Sequence, residues 1–374
     1  MKNAIVKKMM SLAVISALIM GLAGCTGSND STSGSASEEN TETTTQEQST
    51  DNTDSSEEKE LVVVDWGGAN TDARIEANFK PFEEEYNCKI TVVTPCDYAK
   101  LQTMVDTNTV EWDVMNCDAY WGVLAGSQSY LEEIDYDVVT ANLNPETTSQ
   151  YVCSAETYSS AISWNTDKYS QDTSPKSWAD FWDTEKYPGK RAMWKYPVTV
   201  LEAALMADGV AAEDLYPLDT ERAFAKLDEI KDDIVWWSAG AEPAQMLSTG
   251  EADLALAWSG RIANAKEEGS PVDFTYNQAV VISAGWVIPK GAPHAELAQE
   301  FLNYISSPEM MLAFSEKIPY GASNLDTPDL MSDELKVSLG LSEEQTANEI
   351  YLDNAYWAEN LEELEEEFNA WLLE

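Results

Sequence analysis

Short apolar runs separated by amphipathic helical patterns constrain the fold of this chain most. The run LVVVDW at 61–66 predicts a buried strand, and a helix is predicted from about residue 71. Further strands are predicted at 89–94 and 112–117, and together these segments complete a βαβαβ unit. Because strands alternate with helices, the sequence predicts an α/β fold with mainly parallel sheets.

The same alternation continues to the end of the chain. More strands are predicted near 161–165 and at 191–194, 252–258 and 285–289. A last helix near 359–373 has apolar residues at helical spacing, and its glutamate run is interpreted as a solvated face. Residues 60–374 are enough for one large or two moderate domains.

The first 24 residues have the parts of an export signal. Basic residues precede an apolar run at 9–20, and small residues then lead into Cys25. The run is short for a membrane span, so we predict a signal peptide at 1–24 and lipidation of Cys25, with an uncleaved signal anchor as the alternative. Residues 25–59 comprise this cysteine and a polar tether with too few apolar side chains to fold.

A lipid-modified cysteine followed by a tether predicts a protein anchored to a membrane without spanning it. The expected location is the outer face of the cytoplasmic membrane, or the periplasmic space if the cell is Gram-negative. The 67 acidic and 22 basic residues give a net charge of -45, which excludes nucleic acid as a partner because its phosphates would be repelled. The acidic excess serves solubility or attracts a cationic solute, and composition does not choose between them.

Four cysteines remain once Cys25 is assigned to lipid. In an exported protein Cys88, Cys96, Cys117 and Cys153 allow two disulfides. Cys88 and Cys96 bracket a predicted strand whose extended length separates them, which argues against a bond between these two, and the pairing otherwise stays open. No Cys/His spacing is typical of zinc, so neither a metal nor a cofactor is expected.

Catalytic signatures are absent from the sequence. It contains no GxSxG, HExxH or GxxxxGK[ST] motif. The one histidine, His294, stands in a polar turn before a predicted helix and is interpreted as a surface residue rather than a general base. The chain is therefore not expected to be an enzyme. A secreted hydrolase that uses a carboxylate pair and a surface adhesin or scaffold are the alternatives.

Aromatic residues follow the ends of several predicted strands. Trp66 closes the first strand, Tyr120 follows the third just after Asp118, Tyr196 follows the strand at 191–194, and Trp258 ends the strand at 252–258. Ligands of open α/β sheets bind beyond the carboxyl ends of the strands. Any one of these rings could instead pack in the core, but their shared position favours a ligand cleft.

Several segments carry a family likeness through their order and spacing. They are VVVDWGGAN with FKPFEEEYN (62–87), SWADFW…PGKR (177–191), WWSAGAEPAQMLSTGEADLALAWSGRI (236–262), GWVIPKGAP (285–293), SSPEMM…KIPYGASN (306–324) and YWAENLEELEEEFNAWL near the end. With them the chain resembles the extracytoplasmic solute-binding lipoproteins of ABC importers, of the spermidine/putrescine-binding type, over nearly all of 60–374.

The resemblance implies a two-lobed periplasmic-binding-protein fold, type II-like, which closes on a ligand held in a cleft between the lobes. Lobe 1 is expected to comprise 60–160 plus 284–326, and lobe 2 to comprise 161–283 plus 327–374. The implied protein is a monomeric receptor that captures a small-molecule solute and delivers it to an ABC permease and its ATPase.

The resemblance also implies cleft residues. By motif position Trp66, Asp118, Tyr120, Trp258 and Tyr320 would line the cleft, where aromatic faces suit a protonated amine. By family default the solute is a polyamine such as putrescine or spermidine.

The sequence departs from the polyamine binders at acidic positions. Ala284 stands where those proteins have an acidic residue, and Tyr196 and Thr199 replace a further acidic pair. Asp118 supplies one partner for an amine, and Arg261, at a predicted helix start, either receives a carboxylate or forms a structural ion pair. A zwitterion such as an ω-amino acid is therefore the alternative solute.

Overall fold

A computed structural model describes residues 59–342, 345 and 347–374 of the chain. The predicted signal peptide at 1–24, Cys25 and the predicted tether up to residue 58 lie outside these residues. None of the helices in the described ranges is both long enough and apolar enough to cross a membrane.

Strands and helices alternate along the described residues. The strands are β1 (Lys59–Val64), β2 (Cys88–Val93), β3 (Val114–Asp118), β4 (Cys153–Asn165), β5 (Arg191–Trp194), β6 (Ile234–Trp237), β7 (Leu254–Trp258), β8 (Val272–Val287), β9 (Gly321–Ala322) and β10 (Ile350–Tyr351). The helices are α1 (Gly68–Arg74), α2 (Lys80–Tyr86), α3 (Tyr98–Asp106), α4 (Ala119–Ser127), α5 (Trp178–Trp182), α6 (Val200–Ala207), α7 (Thr220–Asp228), α8 (Glu242–Thr249), α9 (Ser259–Glu267), α10 (Ala295–Ile305), α11 (Pro308–Ser315), α12 (Asp333–Ser338) and α13 (Asn354–Trp371). A π-helical turn (Ile75–Phe79) joins α1 to α2, and 3₁₀ turns lie at Ala212–Asp214, Lys231–Asp233 and Thr327–Leu330.

The sheet consists of two parallel sets joined by two long antiparallel strands. Its order is β2-β1-β3-β8-β4-β7-β5-β6. In the first half of the sheet, β1 is parallel to both β2 and β3; in the second half, β5 is parallel to both β6 and β7. The predicted α/β class is confirmed, and strands β4 and β8 connect the halves as an antiparallel pair.

Strands β4 and β8 change partners part-way along their length. Residues 284–287 of β8 pair with β3, whereas residues 160–164 of β4 pair with β7. Between these points, residues 157–160 of β4 pair with 280–283 of β8, and the β4–β8 register shifts at both ends of this stretch. We call residues 157–160 and 280–283 the hinge segment, because the two halves of the sheet are joined through it.

The long strands were predicted too short. The strand expected near 161–165 begins at Cys153, and the strand expected at 285–289 is the end of β8. Buried polar residues such as Glu156, Ser159 and Ser160 interrupt the apolar pattern of β4, so a search for apolar runs misses its first part. The last helix starts five residues before its predicted start, where the Asp353 side chain accepts a hydrogen bond from the Tyr356 amide and caps it.

Aromatic side chains fill the core of both halves. Trp286 packs against Phe79 and Phe301 in the first half, and Trp178 packs against Phe181 in the second. Five tryptophans are less than 2% exposed: Trp164, Trp178, Trp237, Trp286 and Trp357. For these residues core packing is the correct interpretation, so the aromatic content alone does not mark a ligand site.

Three of the cysteines have reduced thiols. Cys117 and Cys153 are buried and Cys96 is half-buried. The Cys96 Sγ lies 3.0 Å from the Asn116 carbonyl oxygen, and the Cys153 Sγ lies 3.2 Å from the Ser306 Oγ. The two disulfides that the sequence allowed are therefore not formed by these residues.

Candidate functional site

Asp118 is the centre of a cluster of phenols. It is the last residue of β3 and the N-cap residue of α4. Its Oδ2 accepts hydrogen bonds from Tyr98 at 3.1 Å and Tyr120 at 3.4 Å, and its Oδ1 accepts one from Tyr158 at 3.2 Å. The strand end and the following helix start thus place a carboxylate where three tyrosine hydroxyls converge.

The charge of Asp118 is not balanced by an arginine or lysine among the described residues. None of the ion pairs that these residues form includes Asp118. Burial raises the pKa of the Asp118 carboxyl, and hydrogen bonds from Tyr98, Tyr158 and Tyr120 oppose the rise. An uncompensated carboxylate in such surroundings is stabilised by an added cation.

Trp66 is connected to this cluster through Tyr98. Its ring contacts Tyr98 edge-on with centroids 6.2 Å apart, and its indole N–H donates to the Asn116 Oδ1 at 2.7 Å. Trp66 is also 38% exposed. This combination of an anchored indole and an open face is suited to contact with a solute.

Tyr158 joins Asp118 to the aromatic residues of the other strand ends. Its ring lies 5.9 Å from Trp258 and 6.0 Å from Tyr320, centroid to centroid. Trp258 ends β7 in the second half of the sheet and also contacts Trp194 and Trp237 at 5.4 and 5.2 Å. The buried Trp258 indole N–H has no hydrogen-bond partner among the described residues, so a donor is left available beside the cluster.

Tyr196 lies at the edge of the same aromatic group. Its ring is 4.8 Å from Trp194, and its hydroxyl donates to Glu365 of α13. Burial raises the pKa of Tyr196, with further contributions from Glu365 and then Asp118. Tyr196 is therefore close enough to both carboxylates to be influenced by their charge.

Arg261 is in the first turn of α9, three residues after Trp258, and its side chain is exposed. It makes no ion pair with the described residues, so the structural ion pair considered for it is not formed there. Its charge acts on Tyr320 and lowers the pKa of a phenol that burial raises overall. A Cβ on Gly260 would lie 2.5 Å from the Tyr320 Cε1, so glycine is needed for this close approach.

Six of the seven predicted site residues form one set connected by contacts, and the seventh, Arg261, acts on one of them through its charge. Contacts run from Trp66 through Tyr98 to Asp118 and Tyr120, and from Tyr158 to Trp258 and Tyr320. Trp194 connects Tyr196 to Trp258, and Arg261 of α9 is near enough for its charge to lower the pKa of Tyr320. The structure brings together what the sequence listed separately; whether these residues bind a solute stays a prediction.

Sequence reasoning missed four members of this set. They are Tyr98, Tyr158, Trp194 and Glu365. Trp194 ends β5 and could have been found by the strand-end rule. Tyr98 starts a helix and Tyr158 lies within β4, so neither has that signal.

His294 is half-exposed, as predicted for a surface residue, and has one specific partner. Its Nδ1 lies 3.1 Å from the Oδ2 of the buried Asp113, whose Oδ1 accepts from the His294 amide at 2.7 Å. Among the residues that the structure covers, no group of His, Cys, Asp and Glu side chains is arranged to hold a metal ion.

The family follows from comparison with known proteins. Residues 77–338 match the model of the bacterial extracellular solute-binding protein family. A solved ABC-transporter substrate-binding protein from Bradyrhizobium japonicum is 34% identical, covers 84% of this chain and 99% of its own, and has a TM-score of 0.81. The chain belongs to the bacterial extracellular solute-binding proteins, the receptors that bind small solutes for ABC importers and act with a permease; it is not an enzyme.

Two relatives bind different amines. The gamma-aminobutyric acid (GABA)-binding protein of Pseudomonas aeruginosa is 34% identical over 329 residues, 84% of this chain and 91% of that protein. The spermidine/putrescine-binding periplasmic protein of Escherichia coli is 25% identical over 248 residues, 64% and 70% of the two chains. A solved GABA receptor is 36% identical, covers 84% of this chain and 98% of its own, and has a TM-score of 0.78.

Proposed function

We propose that this receptor binds a small ω-amino acid of the GABA type. Asp118 lies at the centre of the site and Arg261 near Tyr320, and neither has a partner of opposite charge among the described residues. In the proposed complex Asp118 binds the ammonium group of the solute, and Arg261 binds its carboxylate. The aromatic rings between them, those of Tyr158, Trp258 and Tyr320, cover the methylene chain.

The observation that carries this proposal is a pair of unbalanced charges of opposite sign, Asp118 within the aromatic cluster and Arg261 close enough to act on its Tyr320. A diamine satisfies Asp118 and places its second charge near a cation, whereas a zwitterion satisfies both residues. The comparisons point the same way, because the GABA-binding relative is more similar over more of the chain than the polyamine-binding one.

A diamine such as putrescine is the second candidate, and Glu365 is the observation in its favour. This half-buried carboxylate accepts a hydrogen bond from Tyr196 and forms no ion pair within the described residues. It provides a second anionic position where the acidic residues of the polyamine binders are missing. Glu365 belongs to the glutamate run interpreted from sequence as a solvated face, so that interpretation is wrong at this residue.

Calorimetric titration of residues 59–374 with GABA and with putrescine decides between these solutes. The two molecules share a primary amine and a four-carbon chain length and differ in one end group, a carboxylate or a second amine. We expect GABA to bind at least roughly tenfold more tightly, about 1.4 kcal/mol. Tighter binding of putrescine would favour the second candidate, and no heat with either would contradict both.

The proposal also includes a membrane anchor and a movement of the two lobes. Lipidation of Cys25 and a tether at 25–59 hold the receptor at the outer face of the membrane, where its permease is. The receptor acts as a monomer whose lobes, 60–160 plus 284–326 and 161–283 plus 327–374, close on the solute. Incorporation of a labelled fatty acid, lost in Cys25→Ser, tests the anchor.

A further inference from the structure

A small cavity lies against the hinge segment and contains a carboxylate. Its volume is about 20 Å³, room for about one water molecule. Thr157, Tyr158 and Ser159 of β4 and Val281 of β8 line it, together with Glu349. Glu349 immediately precedes β10, which pairs with residues 280 and 281 of β8, so the carboxylate is fixed beside the point where the two halves are joined.

The other walls of the cavity come from both halves of the molecule. Pro319 and Gly321 follow α11, whose Phe314 packs with Ala73 and Ala77 of the first half. Ser259 begins α9 after a strand of the second half, and Leu339 and Leu341 follow α12. Because walls from both halves enclose Glu349 in this arrangement, a movement of the halves apart would separate the walls and admit water to Glu349.

Charge at Glu349 is not balanced by its surroundings. Besides Glu349, three titratable side chains line the cavity: Tyr158 of β4, Tyr276 of β8 and Tyr351 of β10. No described residue with a positive charge lines it. Arg261, two residues after Ser259 on α9, is not part of the lining. Burial raises the pKa of Glu349 to about 8, and a hydrogen bond with Ser159 opposes the rise.

We propose that Glu349 is a proton-binding site at the hinge segment and that its protonated form favours the closed arrangement of the two lobes. An ionised carboxylate requires hydration that a cavity for one water does not supply, whereas a protonated one can donate a hydrogen bond to a neighbouring hydroxyl. Closure then takes up a proton, and opening releases it. The site shares Tyr158 with Asp118 but does not depend on which solute is bound.

The direction of the pH effect follows from linkage. Between the ordinary glutamate range near 4.3 and about 8, the closed state holds a proton that the open or unfolded state has lost. Stability and solute affinity are then highest at low pH and fall as the pH rises to about 8, affinity by at most roughly tenfold per pH unit. An ammonium solute held at Asp118 has the opposite effect, because it favours an ionised carboxylate.

The first experiment compares thermal unfolding of wild-type residues 59–374 with Glu349→Gln between pH 5 and 9. Glu334→Gln, at an exposed glutamate of α12, is the control. We expect the wild type to lose stability relative to Glu349→Gln as the pH rises to 8, and Glu334→Gln to follow the wild type. Parallel curves for wild type and Glu349→Gln would overturn the proposal, and this readout needs no solute.

The second experiment measures proton uptake on solute binding by calorimetry at pH 7 in phosphate and in Tris, which differ in ionisation enthalpy. We expect Glu349→Gln to bind GABA or putrescine with up to one proton less uptake than the wild type. Equal uptake would overturn the coupling to closure even if the unfolding curves differ. If solute affinity instead depended on sodium or potassium at constant ionic strength, and proton uptake did not differ between wild type and Glu349→Gln, the site would bind a metal cation rather than a proton. Absence of heat with both solutes contradicts the proposed function, and the unfolding comparison then decides the proton site.

Discussion

Two sets of charged side chains in this receptor differ in how their charge is balanced. In the first, which we call the Arg74 triad, buried Arg74 forms an ion pair with Glu156 and lies 3.6 Å from Asp65, Nε to Oδ2. The guanidinium also lies 4.8 and 4.2 Å from the ring centroids of Trp286 and Phe314. Each charge of the triad faces an opposite charge within the protein, although one guanidinium serves two carboxylates and burial raises the pKa of Asp65.

In the second set, Asp118 and Arg261 have no charged partner among the described residues, although Asp118 is surrounded by phenols. A fold depends on both members of a buried ion pair, since removing one partner leaves the other buried and unpaired. Unbalanced charges contribute less to folding and are available to a ligand. The comparison therefore separates side chains that hold the receptor together from those proposed to hold the solute.

The largest expected effect is on stability, from Arg74→Met. Loss of the guanidinium leaves Glu156 and Asp65 buried without a cation, which we expect to cost about 3–5 kcal/mol of the free energy of unfolding. Urea denaturation of residues 59–374 measures this cost. The matched control is Arg261→Met, for which a change within about 0.5 kcal/mol is expected because the side chain is exposed. Equal losses in the two variants would remove the distinction between the sets.

Asp118→Asn is expected to affect binding more than folding. It removes the anionic partner of the ammonium group, and affinity for GABA should fall by about 2–3 kcal/mol, roughly 30- to 150-fold. The free energy of unfolding should change by less than about 1 kcal/mol, since a buried charge and part of a hydrogen-bond set are lost together. Calorimetry and urea denaturation on the same preparation give both values. Retained affinity with reduced stability would place Asp118 with the Arg74 triad instead.

The two sets also differ in how far the sequence predicts them. Asp118 of the second set stands at the end of an apolar strand, as do Trp66 and Trp258 of the proposed site, so a local pattern and the rule for strand ends locate them. The α/β order was predictable for the same reason, because apolar runs are local signals. The Arg74 triad joins residues 82 positions apart, and no local pattern indicates such a pairing.

The remaining misses have tertiary causes. Tyr98 and Tyr158 reach Asp118 across 20 and 40 positions, and neither is distinguishable in sequence from a surface or core tyrosine. Glu365 has the same sequence neighbours as the exposed glutamates beside it on α13, and only packing of the helix places it against Tyr196. The hinge segment was hidden because buried serines replace apolar residues there.

Arg261→Gln tests the cationic half of the second set. It removes the proposed partner of the solute carboxylate, and GABA affinity should fall by about 1.5 kcal/mol, roughly tenfold. Putrescine has no carboxylate, so its affinity should be unchanged or slightly higher. Titration of both solutes into wild type and variant measures the difference. An equal loss for the two solutes would show that Arg261 acts on the shape of the site rather than on an end group.

Trp258→Phe should have the smallest effect and separates the ring from its N–H group. The Trp258 indole N–H is buried without a partner in the described structure, so its removal breaks no hydrogen bond of the protein and stability should not fall for that reason. If the solute carboxylate accepts from this donor, GABA affinity falls by about 1 kcal/mol while putrescine affinity is retained. Trp258→Ala removes the ring as well and should weaken both solutes by about 2 kcal/mol or more. Similar losses in the two variants for GABA would assign the contribution of Trp258 to its N–H group, and no loss in either would exclude this residue from the site.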